Sequence, residues 1–273
     1  GGLVVYGSFI GTVLAAAIFL WRRKLPALAM CDLFSAGLLL GVCIGRIGCL
    51  MNGCCWAGSC GDSALGITFP PGSPPYLHQL ETGLLLGIES EPIEGTRARV
   101  IQQITPGSNA DQQGLKSGDK IVAFERPRNE ELNRMRRGET VGDALTTLTT
   151  SDGRRITWEF RQLRARSEPV YPVQILSSVN ALLLCWFLWA YHPHRRRDGE
   201  VVALMMTIYP ITRILLEMIR TDELGILPTV LPFEVSPSQG VSFIILVLAG
   251  AMWWFVLSRP QASALPVAAD GSG

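Results

Sequence analysis

Charge is scarce in this chain: Lys, Arg, Asp and Glu make up 17% of its 273 residues, and the formal balance is only +1. A chain so close to neutral, whose few basic clusters sit beside apolar runs, has no electrostatic footprint for a phosphodiester backbone, which excludes nucleic acid as a partner. Histidine is scarcer still, with His78, His192 and His194 alone, and the H-E-x-x-H pair of a membrane metalloprotease is missing. Heptads, low-complexity tracts and internal repeats are absent. The chain opens at Gly1 on an apolar segment without the basic region of a signal peptide, so that segment is not read as one, and the chain is expected to be a fragment whose beginning is missing.

Apolar residue is abundant instead, at 48%, with a mean hydropathy of +0.27. A bilayer core of roughly 30 Å needs about 20 apolar residues in a helix. Five stretches qualify: Leu3 to Leu20, Ala27 to Met51, Val173 to Tyr191, Val201 to Ile219 and Val241 to Leu257. The basic clusters "WRRK" at 21–24 and "HPHRRR" at 192–197 follow the first and third of these, which places both on the cytoplasmic side. Arg46, Arg213, Glu217 and Arg220 then fall toward the opposite, extracytoplasmic face. Charge inside a span costs roughly 2.5–3.5 kcal/mol at the helix centre, so these residues need partners or a task. Arg213 and Glu217 are four apart and Arg220 three further on, one stripe of a helix. A structural ion pair and recognition of an anion by guanidinium forks both fit that stripe.

About 120 residues between the second and third spans differ in character, with turn signals, period-two alternation and most of the charge. "ARVIQQITPGSNADQQGLKSGDKIVAFE" at 98–125 reads as strand, turn, short helix, turn, strand. This block resembles a PDZ domain. The resemblance makes residues 84–165 a small inserted α/β domain, with "LLLGI" at 84–88 as its carboxylate-binding loop (Leu86, Gly87 and Ile88), "TVGDALTTLTT" at 140–150 as its groove-lining helix and "RRITWEFRQ" as its last strand. It implies an exported peptide or carboxy terminus as partner, bound by strand addition. Residues 260–273, small and polar, are expected to be a disordered tail.

"GRIGCLMNGCCWAGSC" at 45–60 holds four of the seven cysteines. Their C-x4-C-C-x4-C spacing misses the usual zinc patterns and no histidine follows at ligand distance, so no metal is expected. A disulfide within the loop would suit an oxidising extracytoplasmic edge. Cys31, Cys43 and Cys185 read as small buried hydrophobes.

"GRIGCLMNGCCWAG" also resembles the signature of the bacterial prolipoprotein diacylglyceryl transferases, Gly-Arg-x-Gly-Asn-x-x-Asn-Gly-Glu. Further blocks follow in that family's order: "GGLVVYGSFIG" at 1–11, "FPPGSPPY" at 69–76, "YPVQIL" at 171–176, "YPITRILLEMIRTDE" at 209–223 and "SPSQGVS" at 236–242. The resemblance implies a polytopic α-helical membrane protein with about five of seven spans present. Its membrane parts would be 1–83 and 166–259, in the bacterial inner membrane, with the catalytic face and the PDZ-like insert extracytoplasmic. It implies transfer of the diacylglyceryl group of phosphatidylglycerol to the lipobox cysteine of a prolipoprotein, with release of glycerol phosphate and without a cofactor. Carried over by position, Arg46 and Arg213 bind the phosphate, while Asn52, Gly53, Glu217, Arg220 and Gln239 line the lipid site. Tyr6 is a catalytic candidate at a position where the family has a histidine. Cys49 stands for the signature asparagine, Cys54 for its glutamate and Tyr171 for a histidine. A membrane scaffold that only presents the PDZ-like domain is the alternative; it leaves the arginines unexplained.

Overall fold

The structure is a computed structural model that describes residues 2–61, 65–93, 96, 98–139, 145–217 and 237–265. The chain divides into two units, Gly1–Gly48 with Val173–Gly273, and Cys49–Pro172.

The first unit is helical: α1 (Gly2–Arg23), α2 (Ala27–Asn52), α6 (Val173–Tyr191), α7 (Glu200–Glu217) and α8 (Pro237–Leu257), numbered with the short helices of the second unit between them. These follow the five predicted runs. Among the described residues, three helices combine the length and hydropathy of a membrane span: Ala27–Asn52, Val173–His194 and Gln239–Leu257. Their outer faces carry large bare apolar side chains, such as Trp186 at 67%, Val247 at 74% and Trp254 at 78% exposure. Water would penalise such a surface heavily, whereas lipid tails accept it.

Neighbouring helices run antiparallel. Ser178 of α6 donates to the Cys43 carbonyl of α2 at 3.1 Å, and Leu39 of α2, Leu188 of α6 and Val201 of α7 share a buried cluster further along. Asn180 of α6 donates to Thr212 of α7 at 3.0 Å, and Trp253 of α8 donates through Nε1 to Thr207 of α7 at 3.0 Å. The start of α7 is held from outside its own sequence. Gly199 precedes the helix at φ +100, where a Cβ would stand 2.8 Å from Val256 Cγ2, so the position has no side chain to cap its own helix. Asp32 of α2 does so instead, accepting the N–H groups of Gly199 at 2.6 Å and Val202 at 2.9 Å. Fully buried Arg195 lies 4.0 Å from the same carboxylate and 3.7 Å from Asp198.

Arg195 also meets the first residues of the expected tail. Its Nη2 donates to Ser263 Oγ at 2.9 Å and to the Leu265 carbonyl at 3.3 Å, while Asp198 accepts from Ser263 and from the Ala264 N–H. Residues 260–265 are therefore tied to the α6–α7 connection, because a buried guanidinium needs more acceptors than one carboxylate supplies. Residues 266–273 lie outside the described residues.

The second unit is a five-stranded antiparallel sheet in the order β1–β2–β3–β4–β5: Ile88–Pro92, Arg99–Ile104, Lys120–Glu125, Leu145–Thr150 and Arg155–Glu159. Helices α3 (Pro74–Glu81), α4 (Asn109–Gln112) and α5 (Asn129–Arg136) accompany it. The strand-turn-helix-turn-strand reading of 98–125 corresponds to β2, α4 and β3, with Ser108 Oγ capping α4 by accepting the Asp111 N–H. The helix read into 140–150 is corrected. Leu145–Thr150 is β4, whose threonines alternate in burial against β3 and β5, a pattern that suits a pleated surface. Residues 140–144 lie outside the described residues.

Trp158, Ile101, Leu148, Leu86 and Ile88 fill this core together with Tyr76 and Leu80 of α3. Burial pushes the Tyr76 phenol far above its ordinary pKa, and its hydroxyl donates to the Arg164 carbonyl at 2.9 Å. The chain entering and leaving the sheet is zipped together. Ile67 and Val170 exchange backbone bonds at 3.1 and 3.0 Å, and the Gln79 side chain grips both the N–H (2.7 Å) and the carbonyl (3.3 Å) of Glu168.

Candidate functional site

Within the helical unit, α2, α6 and α7 enclose a narrow cleft lined by Val42, Arg46, Ser177, Asn180, Tyr209, Arg213 and Leu216. Arg46 comes from the last turns of α2, half-buried. Arg213 reaches in from α7 with its side chain 15% exposed, and its Nη2 lies 3.0 Å from Oε2 of Glu217, which is 4% exposed. The four-residue spacing of α7 puts that carboxylate directly behind the guanidinium. Among the described residues no carboxylate comes within ion-pair distance of Arg46. Among the described residues, these two guanidiniums thus share the cleft with a single carboxylate, beside the amide of Asn180 and the hydroxyls of Ser177 and Tyr209. Such an array favours an anion with several oxygens, which guanidinium forks bind bidentately.

The remaining expected site residues are distributed more widely. Asn52 is exposed and ends α2, and Gly53 follows at φ +70, where a Cβ would stand 3.2 Å from Phe69 Cδ1; both belong to the second unit. Gln239 sits half-buried in the first turn of α8. Tyr6 lies in α1, but its side chain falls outside what is described, as does all of Arg220.

Leu86, Gly87 and Ile88, the expected carboxylate-binding loop, lie at the edge of the sheet unit's core. Leu86 and Ile88 are core residues at 1% exposure. The N–H of Leu86 donates to Gly83 O at 2.9 Å, that of Gly87 to Leu84 O at 3.1 Å and that of Ile88 to Gly83 O at 3.0 Å. A 3-10 turn over Leu84–Leu86 thus occupies the amides that an anion would need.

Sequence reasoning did not single out Ser177, Asn180 and Tyr209. A signal was present, since "SSVN" at 177–180 interrupts an otherwise apolar run with three polar residues in four. None of the seven cysteines is disulfide-bonded in this structure. Cys43 is buried as expected, whereas Cys31 is exposed on α2. The sulfur atoms of Cys49, Cys54 and Cys55 all lie within 4.8 Å of one another.

The profile of the family described as Prolipoprotein diacylglyceryl transferase matches residues 1–255. The chain belongs to this family. It is 33% identical over 275 residues to a phosphatidylglycerol--prolipoprotein diacylglyceryl transferase of Rhodopirellula baltica, across 90% of this chain and 54% of the relative. It is 24% identical over 246 residues to transferase 2 of Clostridium perfringens, across 90% of this chain and 59% of the relative. A shorter match, 35% over 77 residues, links it to the enzyme of Dehalococcoides mccartyi. The chain thus spans a little over half the length of the relatives it matches broadly. Membership of this diacylglyceryl transferase family makes it a membrane protein, in accord with its apolar helices.

Proposed function

We propose that this protein transfers the diacylglyceryl group of phosphatidylglycerol to the lipobox cysteine thiol of a prolipoprotein, releasing glycerol phosphate, as a multi-pass protein of the bacterial inner membrane. The observation that carries this reading is the meeting of Arg46 and Arg213 in one cleft from helices 167 positions apart in sequence. The departing phosphate gathers charge as its bond to the glyceride carbon breaks. Two guanidiniums fixed beforehand stabilise that charge without reorganising. Glu217 orients Arg213, and the incoming nucleophile is the substrate's own thiolate. In this reading Asn52, Gly53, Arg220 and Gln239 contribute to the lipid site. Tyr6 donates a hydrogen bond to the lipid rather than acting as base, because a phenol ordinarily keeps its proton at neutral pH.

We read α1 and α7 as further spans, giving five, with the cleft opening toward the extracytoplasmic side. Support comes from the two basic clusters, which lie at the same end of the helices: "WRRK" just precedes α2, and Arg195 meets Asp32 in the second turn of that helix. We further read residues 84–165 as a PDZ-like insert in the extracytoplasmic arm, on the order of strands and turns around Ser108; its core draws in Tyr76 and Leu80 from α3. The scaffold alternative has less support, because the amides of its peptide-binding loop are already bonded.

The test is transfer from labelled phosphatidylglycerol to a lipobox peptide by the intact protein, beside Arg46→Ala and Arg213→Ala. Each variant is expected to lose at least about 100-fold in rate, the order for a lost charge-stabilising donor. Full activity in either would remove the phosphate-site assignment.

A further inference from the structure

We infer that Cys49, Cys54 and Cys55 form a three-thiolate site for a zinc ion. The inference stands apart from the transfer reading and rests on how the end of α2 is built.

The helix terminates in a Schellman motif. The N–H of Gly53 donates to Leu50 O at 3.1 Å and the N–H of Cys54 to Cys49 O at 3.0 Å. Gly53 takes the left-handed conformation that the motif requires, φ +70. In this motif the residue after the glycine folds back over the residue three positions before the helix cap, and their side chains touch. Here that touching pair is Cys54 and Cys49. Cys55 then adopts φ +58, one of two non-glycine residues with positive φ among those described. A third sulfur joins the pair, and all three ligand atoms lie within 4.8 Å of one another. A spacing of five and six residues, unlike any common zinc pattern, thus becomes a compact triad because the helix end doubles the chain back.

The dimensions suit the ion. With zinc–sulfur bonds of about 2.3 Å, thiolates at tetrahedral corners stand about 3.8 Å apart, so closure asks each pair for about 1 Å or less. All three residues are half-buried, which leaves an entry path, and none is in a disulfide. An apolar contact alone would be met as well by leucine or valine. A disulfide would use two of the sulfurs and leave the third. Zinc uses all three, leaves a fourth position for water or an external ligand, and needs no oxidant. Each zinc–sulfur bond replaces an S–H bond, and the three protons leave to solvent, so affinity rises with pH.

The full chain, purified in detergent with its thiols reduced, is titrated with zinc against a chromogenic chelator, and separately with cobalt(II) as a spectroscopic substitute. One zinc per chain is expected, with a thiolate-to-cobalt charge-transfer band. Cys49→Ser, Cys54→Ser and Cys55→Ser should each weaken zinc by more than about 100-fold, beyond the usual cost of losing a ligand's supporting partner; Cys185→Ser should not. Absence of the charge-transfer band in the unsubstituted chain would overturn the inference even if the serine variants misfold. So would equal zinc affinity in the three variants, or a disulfide among the three residues in protein purified without reductant.

Discussion

Arg213 and Glu217 form an ion pair at 3.0 Å inside the helical unit, and Arg46, from a different helix, shares the cleft with Arg213 and meets no carboxylate among the described residues. The carboxylate therefore sets the direction of one guanidinium, while the other contributes net charge. Glu217→Gln should keep the fold and lower transfer by about tenfold, mainly in kcat, since positional precision is what it removes. A double replacement, Arg213→Met with Glu217→Leu, removes a buried pair at little cost in stability yet should abolish transfer. A double variant that remained active would mean that the pair is structural only.

Asp32 caps α7 across the bundle, and substitutions there should rank by the acceptors they retain. Asp32→Asn keeps one acceptor oxygen and is expected to cost about 1–2 kcal/mol. Asp32→Leu leaves two N–H groups and the buried Arg195 without that carboxylate and should cost about 3–5 kcal/mol. Thermal unfolding in detergent measures both; equal losses would contradict a capping role.

Gly87 stands at φ +82 with its would-be Cβ only 2.4 Å from Ser108 Cβ. Gly87→Ala should destabilise the sheet unit by more than about 2 kcal/mol, through strain and overlap together. Adding Ser108→Gly relieves the overlap and leaves the strain, so about half of the loss should return. Protease resistance of residues 84–165 within the whole protein is a suitable readout.

Asp152 accepts hydrogen bonds from Thr150 Oγ1 and, at 2.5 Å, from Arg154 Nε. Together, with Thr150 the larger influence, they hold its carboxyl down at about 2. A depressed folded pKa favours the folded form above the unfolded value, near 3.9, and that contribution is lost as pH falls through about 2. Thr150→Val should raise the midpoint toward the ordinary carboxylate range, measured by carboxyl-carbon NMR. An unchanged midpoint would assign the shift to Arg154 alone.

Much of the fold was legible because its signals are local. Five apolar runs lie on the five long helices, and the turn chemistry around "PGSNADQQGLKSGD" marked β2, α4 and β3. The error at 145–150 came from reading a family's helix onto a threonine-rich alternation whose period-two pattern argued for a strand. The 3-10 turn over Leu84–Leu86, which bonds the amides of Leu86, Gly87 and Ile88 to the chain's own carbonyls, had no comparable local signal, because composition does not specify it.

The sequence by itself determined that the chain is built for a bilayer, that Arg46, Arg213 and Glu217 sit where unpartnered charge is costly, and that the order of its blocks follows one family. These follow from length, periodicity and motif, which act over a few residues at a time. Only the tertiary structure decided which distant residues share a neighbourhood. It brought Asn180 and Tyr209 to the two arginines, set Asp32 over the start of α7, and folded a helix end so that three cysteines of unpromising spacing meet. Those outcomes depend on helix crossing, packing and a left-handed turn, and on the rule that buried polar groups must find partners wherever the chain supplies them.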